Sequence, residues 1–260
     1  MAAGCSWPPG GAARGSGLAV VGCGLALLTH FTSPATTILG AFLIGAIVAA
    51  APTAQWKAPV AWIRTAALSV WVVLLILAMA AELPLNAGVR AAAAGAPLAA
   101  NEAFEAAQAL RPWDADIASI AAQSLASAAD RQVDGAGPQA IVWARRSLAQ
   151  VPTSALSSKA LAIGLQYTGD LDGARQVLAD LVVRTPSDSE ALHRLGGICF
   201  LLGDANAAVQ NLERAAALDP LNGDIWLTLR YVYEQLGNSA AAARADQQIA
   251  EIESSDTPAP

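Results

Sequence analysis

The chain begins with three long apolar segments and continues with a region in which apolar and polar residues alternate at helical spacing. The apolar segments run through residues 17–33, 35–52 and 62–82, and no Asp, Glu, Lys or Arg lies between Gly15 and Trp56. A helix that crosses a bilayer needs about 20 apolar residues, with roughly 17 as the lower limit. The pattern therefore predicts a membrane anchor of two or three helices, of which the first is the shortest.

Charge divides the chain at the same place. The charged residues in 1–81 are Arg14, Lys57 and Arg64, whereas the residues after Glu82 include 20 acidic and 12 basic side chains. Because basic residues mark the cytoplasmic side of membrane helices, this distribution predicts that Lys57 and Arg64 lie inside and the acidic region outside. The acidic balance also argues against nucleic acid as a partner, since few cations are present to neutralise phosphates.

Prolines, glycines and alanines recur in the acidic region with a fixed period. Pro152, Pro186 and Pro220 lie 34 residues apart, and sets of glycines and alanines recur with the same period. A 34-residue period with two helical segments in each unit is typical of the tetratricopeptide repeat (TPR), and the chain resembles that family. The residues that define the repeat are Gly95, Ala100, Phe104, Pro112, Pro152, Gly169, Ala174, Pro186, Gly196, Gly203, Ala208, Pro220, Trp226, Tyr233 and Gly237.

The predicted fold is all-α, with two or three transmembrane helices followed by an α-solenoid of about five TPR helix–turn–helix units. Glycine at the end of a first helix supplies a left-handed turn, and proline ends the second helix. Pro112 precedes Pro152 by 40 residues, which predicts a six-residue insertion within 130–137. A generic alanine-rich helical bundle is the alternative. The predicted segments are a flexible leader 1–16, an anchor 17–81, units 81–114, 115–154, 155–188, 189–222 and 223–253, and a disordered tail 254–260.

No catalytic motif stands out, and the sequence predicts neither a cofactor nor a metal site. The acidic residues cluster near turns and helix starts, where carboxylates satisfy free backbone N–H groups. His30 lies at the outer end of the first apolar segment. An ionisable group there is a candidate functional residue, and the alternative is a histidine that reaches interfacial water. The chain is therefore predicted not to be an enzyme by itself.

The first helix of each repeat is predicted to line a groove for a protein or peptide partner, because TPR stacks present such a surface. The alternative is that Phe200 and Leu227 pack between units and that the surface binds nothing strongly. The predicted partner-binding residues are Lys159, Ile163, Gln166, Tyr167, His193, Phe200, Leu227, Tyr231 and Glu234.

The apolar segments followed at once by repeats resemble the C-terminal part of bacterial O-antigen ligase/polymerase-like membrane proteins that carry a TPR tail. Two stretches carry this resemblance, "LTHFTSPATTILGAFLIGAIVAA" and Arg111-Pro112-Trp113-Asp114. It implies a multi-pass protein of the bacterial inner membrane with an extracytoplasmic TPR scaffold that serves cell-envelope or surface-glycan assembly. One alternative is a C-terminal fragment of such a glycan transferase, inactive alone. Another is an adaptor on the cytoplasmic face.

Overall fold

A computed structural model describes residues 58–256, with side chains described without interruption from Ala80 to Ser254. This range contains α-helices and no strand. In chain order they are α1 (Ala58–Ala93), α2 (Pro97–Leu110), α3 (Ala115–Asp130), α4 (Ala136–Gln150), α5 (Ala155–Tyr167), α6 (Leu171–Arg184), α7 (Ser189–Leu201), α8 (Ala205–Leu218), α9 (Gly223–Gln235) and α10 (Ser239–Asp256).

Two of the three predicted membrane spans, 17–33 and 35–52, lie outside the described residues, as does His30. The third, 62–82, falls within α1, which continues through Pro84 to Ala93. Within the part of the chain that the structure describes, no helix is long and apolar enough to cross a membrane. The third span is therefore not confirmed. The chain divides into two compact units between Ala80 and Ala81.

The second unit is a stack of helix pairs. In each pair a first helix (α3, α5, α7 or α9) packs against the second helix that follows it (α4, α6, α8 or α10). Gly169, Gly203 and Gly237 follow first helices and have φ of +86°, +82° and +69°, a conformation that a Cβ would strain. The all-α repeat solenoid predicted from the sequence is thus confirmed.

Side-chain caps begin most of these helices. Asp170, Asp188 and Asp204 each accept a hydrogen bond from a backbone N–H three residues later, at 2.9–3.1 Å. Ser154 and Asn222 cap α5 and α9 with their side-chain oxygens. The acidic residues at helix starts therefore satisfy backbone donors that the helix itself leaves free.

The insertion between Pro112 and Pro152 is only partly a longer turn. Helix α3 has 16 residues, whereas α5, α7 and α9 each have 13. Helix α4 has 15 residues, whereas α6 and α8 have 14. Three of the six added residues therefore lengthen α3 by nearly one turn, which ends at Asp130.

The core combines buried leucines and isoleucines with small residues at the helix crossings and one aromatic pair. Ala100, Ala174 and Ala208 are fully buried, as the repeat pattern predicts for crossing points. Phe104 and Trp143 are also fully buried, with ring centroids 5.9 Å apart at 70°. The Trp143 indole N–H donates to Asn101 Oδ1 at 2.8 Å. This edge-to-face contact joins α2 to α4 and thereby joins the first two units.

Candidate functional site

The first helices share one surface, here called the first-helix surface, on which Lys159 contacts Glu190, His193 contacts Thr228 and Phe200 contacts Tyr231. Tyr167, Leu227 and Tyr231 lie there with 41%, 42% and 52% of their surface exposed. Lys159, Gln166, His193 and Phe200 are half-buried, and Glu234 is exposed. These predicted residues are therefore accessible, although their role in binding stays a prediction.

The prediction that Ile163 belongs to the partner-binding surface is wrong, because this residue is only 6% exposed and belongs to the core. Helix α5 packs against α3, α4 and α6, which leaves little of its surface open. Every residue from Ala160 to Leu165 is buried. A partner would therefore not reach Ile163.

A chain of ion pairs covers the first-helix surface between α5 and α7. Lys159 Nζ, at the start of α5, contacts Glu190 Oε2 and lies 3.4 Å from Asp188 Oδ2. On the other side of Glu190, Oε1 lies 3.3 Å from Arg194 Nε. Burial raises the pKa of Glu190, but the hydrogen bond and charge of Lys159 and the charge of Arg194 outweigh it, so the pKa lies below its ordinary value of 4.5.

The chain of ion pairs continues across α5 to the lengthened end of α3. Arg194 donates to the Asp130 carboxylate with its two terminal nitrogens, at 2.8 and 3.3 Å. The Tyr167 hydroxyl donates to the Asp130 backbone carbonyl at 3.3 Å. The Asp130–Arg194 ion pair thus links unit 115–154 directly to unit 189–222, although unit 155–188 lies between them in the stack. It is called the clamp below.

Sequence patterning missed the Asp130–Arg194 pair. The two residues are 64 positions apart and share no repeat position. The one available signal was the six-residue insertion, whose extra helical turn carries Asp130.

A neutral histidine separates the charged and apolar parts of the surface. Burial, and then the charge of Arg194, lowers the pKa of His193 below its ordinary value of 6.5, so the ring is neutral at physiological pH. The Thr228 hydroxyl donates to the Asp224 carbonyl at 2.8 Å. Its oxygen therefore accepts from His193 Nε2–H, also at 2.8 Å, which leaves Nδ1 as the acceptor nitrogen.

Beyond His193 the surface becomes apolar. The Phe200 and Tyr231 rings meet edge to face, with centroids 5.7 Å apart at 77°. Leu201 and Leu227 flank them with 57% and 42% of their surface exposed. A Cβ added at Gly197 would meet no atom within 4 Å, so the space above it is open. These five residues are called the apolar patch below.

The units that carry the apolar patch are acidic on balance. Residues 189–256 contain ten acidic and four basic side chains, whereas residues 115–188 contain seven acidic and six basic ones. Beside the patch, Arg230 is shared between Glu234 at 3.8 Å and Asp246 at 3.1 Å. Glu234, which is exposed and three residues after Tyr231, therefore lies close to the apolar patch.

Trp226 and Tyr233, which match the repeat pattern, lie on another surface. They help to line a groove of about 620 Å³ that α8, α9 and α10 enclose. The Trp226 indole N–H donates to the Pro220 carbonyl at 2.9 Å, and the Tyr233 hydroxyl donates to Glu213 at 2.6 Å. Burial, with the hydrogen bond and charge of Glu213, raises the pKa of Tyr233 to about 12.

Among the described residues, no three His, Cys, Asp or Glu side chains come together as a metal site requires.

Comparison with solved structures places this geometry among known folds. A MamA crystal structure superimposes with a TM-score of 0.54 and 17% sequence identity, over 65% of this chain and 95% of MamA. The fold is TPR-like. MamA from Desulfovibrio magneticus RS-1 (41-end) gives a TM-score of 0.56 and 20% identity, over 68% of this chain and 96% of that one.

A thermophilic TPR protein from Thermus thermophilus, TTC0263, gives a TM-score of 0.53 and 22% identity, over 68% of this chain and 93% of that one. No family model and no curated protein sequence matches the chain. At these identities the likeness shows the fold, and it gives no support to the predicted relation with O-antigen ligases.

Proposed function

We propose that the protein is a non-enzymatic scaffold that binds a protein or peptide partner through the first-helix surface. The TPR-like fold supports this proposal because stacked helix pairs present an extended surface without needing a catalytic centre. The apolar patch is the observation that carries it. Tyr231 and Leu201 are more than half exposed, next to Phe200. Exposed aromatic and leucine side chains grouped in this way are typical of interaction sites.

Membrane anchoring belongs to the same proposal. It is supported by the absence of charged residues between Gly15 and Trp56, and by Lys57 and Arg64 ahead of the apolar run 65–81. In α1, Val72, Val73, Ile76 and Met79 are 44–60% exposed. We propose an inner-membrane protein of a bacterium whose solenoid is extracytoplasmic. A link to cell-envelope or surface-glycan assembly is supported by the resemblance of the sequence alone.

A reporter enzyme fused after Pro260 tests this topology. The proposal predicts activity only from a reporter that functions outside the cytoplasm. Activity from a cytoplasm-specific reporter would favour an adaptor on the cytoplasmic face.

The ligase-fragment alternative has a separate test in the size of the native protein. An immunoblot with an antibody against the solenoid should show a membrane-fraction band near 26.4 kDa if the scaffold is complete. A much larger band would support the C-terminal fragment of a glycan transferase.

Site-specific photo-cross-linking in the producing cells tests the binding surface. A photoreactive amino acid placed at Gln166 or Tyr231 reports on the first-helix surface, and one at Val142 or Val183 reports on second helices. Tyr231 and Val142 are matched in exposure, at 52% and 49%. Protein adducts from the first-helix positions, with none from the matched second-helix position, are expected. Adducts from Val142 and Val183 alone would contradict the proposal.

A further inference from the structure

We infer that the apolar patch, formed by Gly197, Phe200, Leu201, Leu227 and Tyr231, binds a basic, amphipathic helical segment of a partner protein. This inference rests on the proposed function and adds to it the part of the first-helix surface that binds and the chemistry of what it binds.

The two halves of the first-helix surface differ in their side chains. Charged side chains on the α3–α5 side are already ion-paired within the protein, and the α7–α9 side exposes apolar ones. Toward α3 and α5, the Lys159 ammonium is held by Glu190 and Asp188, and the Arg194 guanidinium by Asp130 and Glu190. A ligand there would have to break these pairs and leave a charged group without its partner, which is unfavourable. The α7–α9 half has exposed apolar groups instead, and covering them releases water at no such cost.

The shape of the apolar patch favours a helix as the occupant. Gly197 and Leu201 are four residues apart on α7, and Leu227 and Tyr231 are four apart on α9, so each pair lies along one side of its helix. A Cβ at Gly197 would meet no atom within 4 Å, so the α7 row is open at that position, and the Phe200 and Tyr231 rings contact each other between the two helices. A helix presents its apolar side chains as a stripe that can pack along such rows. The described residues contain no strand edge to which an extended peptide could pair.

Charge selects a basic segment over an acidic one. Residues 189–256, which include the two units that form the patch, carry ten acidic and four basic side chains. Two of those cations, Arg194 and Arg230, are already paired with carboxylates. Glu234, with 52% of its side chain exposed, lies three residues beyond Tyr231. Lysine or arginine on the flank of the bound helix would therefore be attracted, and an acidic flank would be repelled.

Two synthetic peptides of about 18 residues, or five helical turns, provide the probe. Both carry the same leucine stripe, one with lysines and the other with glutamates at the polar positions. Binding to the full chain is measured by fluorescence anisotropy, with protein-free detergent micelles as the blank. We expect the lysine peptide to bind about tenfold more tightly or better. Its affinity should fall as salt is raised, because salt screens exposed charges.

Two matched pairs of variants locate the site. Leu227→Ser should lower the affinity for the lysine peptide about tenfold, which is the expected loss for one buried leucine contact. Leu218→Ser should not, although Leu218, on α8, is similarly exposed at 47% against 42%. Glu234→Gln should lower the affinity for the lysine peptide about two- to threefold, as expected for a charge at the rim of a binding site. Asp172→Asn should not, although Asp172 also pairs with an arginine of its own helix.

If the peptides bind, two results would still overturn the inference. One is equal binding of the two peptides. The other is an equal loss for Leu227→Ser and Leu218→Ser, with circular dichroism confirming that both variants are folded. If the peptides fail while cross-links form at Gln166, the scaffold function stands and this inference is wrong. If no first-helix position cross-links, the proposed function itself is wrong.

Discussion

Gly196 and Gly197 are neighbours on α7 that provide a matched test of how tightly the repeat packs. A Cβ built at Gly196 would lie 2.6 Å from Leu212 Cγ and 3.1 Å from the Ala208 backbone oxygen. Leu212 and Ala208 are fully buried. Neither the branch point of a buried leucine nor a helix backbone can move aside cheaply. At Gly197 the same Cβ would meet nothing within 4 Å.

The two alanine variants should therefore differ in stability, with Gly197→Ala the more stable. Alanine in place of glycine inside a helix stabilises by about 1 kcal/mol, and Gly197→Ala should gain most of this. Gly196→Ala gains the same propensity but incurs an overpacking cost of about 1–3 kcal/mol. The variants should thus differ by about 1–3 kcal/mol. For a chain of this size, each kcal/mol shifts the Tm by roughly 2–4 °C.

Thermal unfolding followed by circular dichroism, under one set of conditions, measures this difference. We expect Gly197→Ala to melt above the unmodified protein and Gly196→Ala to melt below Gly197→Ala by several degrees. A Gly196→Ala variant that melts at or above Gly197→Ala would refute the close approach of α7 and α8.

Three further predictions concern the clamp, the ion pairs and the aromatic core. Asp130→Asn and Arg194→Met, alone and combined, should show a coupling of about 0.5–1 kcal/mol in urea unfolding, because the pair remains partly exposed; additive effects would contradict the clamp. Because the folded state holds the pKa of Glu190 below its unfolded value, Glu190 stabilises the protein above that value, and this stability is lost as pH falls through the folded pKa. Glu190→Gln should therefore flatten the acid limb of the pH–stability curve, and an unchanged limb would disprove the contribution. Trp143→Ala should cost about 3–5 kcal/mol in urea unfolding, and Trp113→Ala, at a site 59% exposed, about 0.5 or less; similar losses would contradict the assigned core.

The repeat could be predicted from sequence because its constraints are local. A left-handed turn after a first helix favours glycine, and Gly169, Gly203 and Gly237 all have positive φ there. Alanines at crossing points follow from close helix approach. A fixed period therefore preserves the order of helices and their crossing positions even when little else is shared.

The contacts across the first-helix surface could not be predicted because they depend on how units stack. Asp130 reaches Arg194 only because α3 is longer than the other first helices, and a repeat alignment assigns the added residues to a turn. The repeat position of Ile163 predicts a surface residue, but the packing around α5 buries it. Both differences arise at or beside the one unit that departs from the 34-residue period.

We propose that this protein works by holding a partner on its first-helix surface. Photo-cross-linking from Tyr231 and from Val142 in the producing cells tests it most directly, since the two positions are similarly exposed but lie on first and second helices. We expect a discrete protein adduct from Tyr231 and none from Val142. Adducts from Val142 without any from Tyr231 would contradict it.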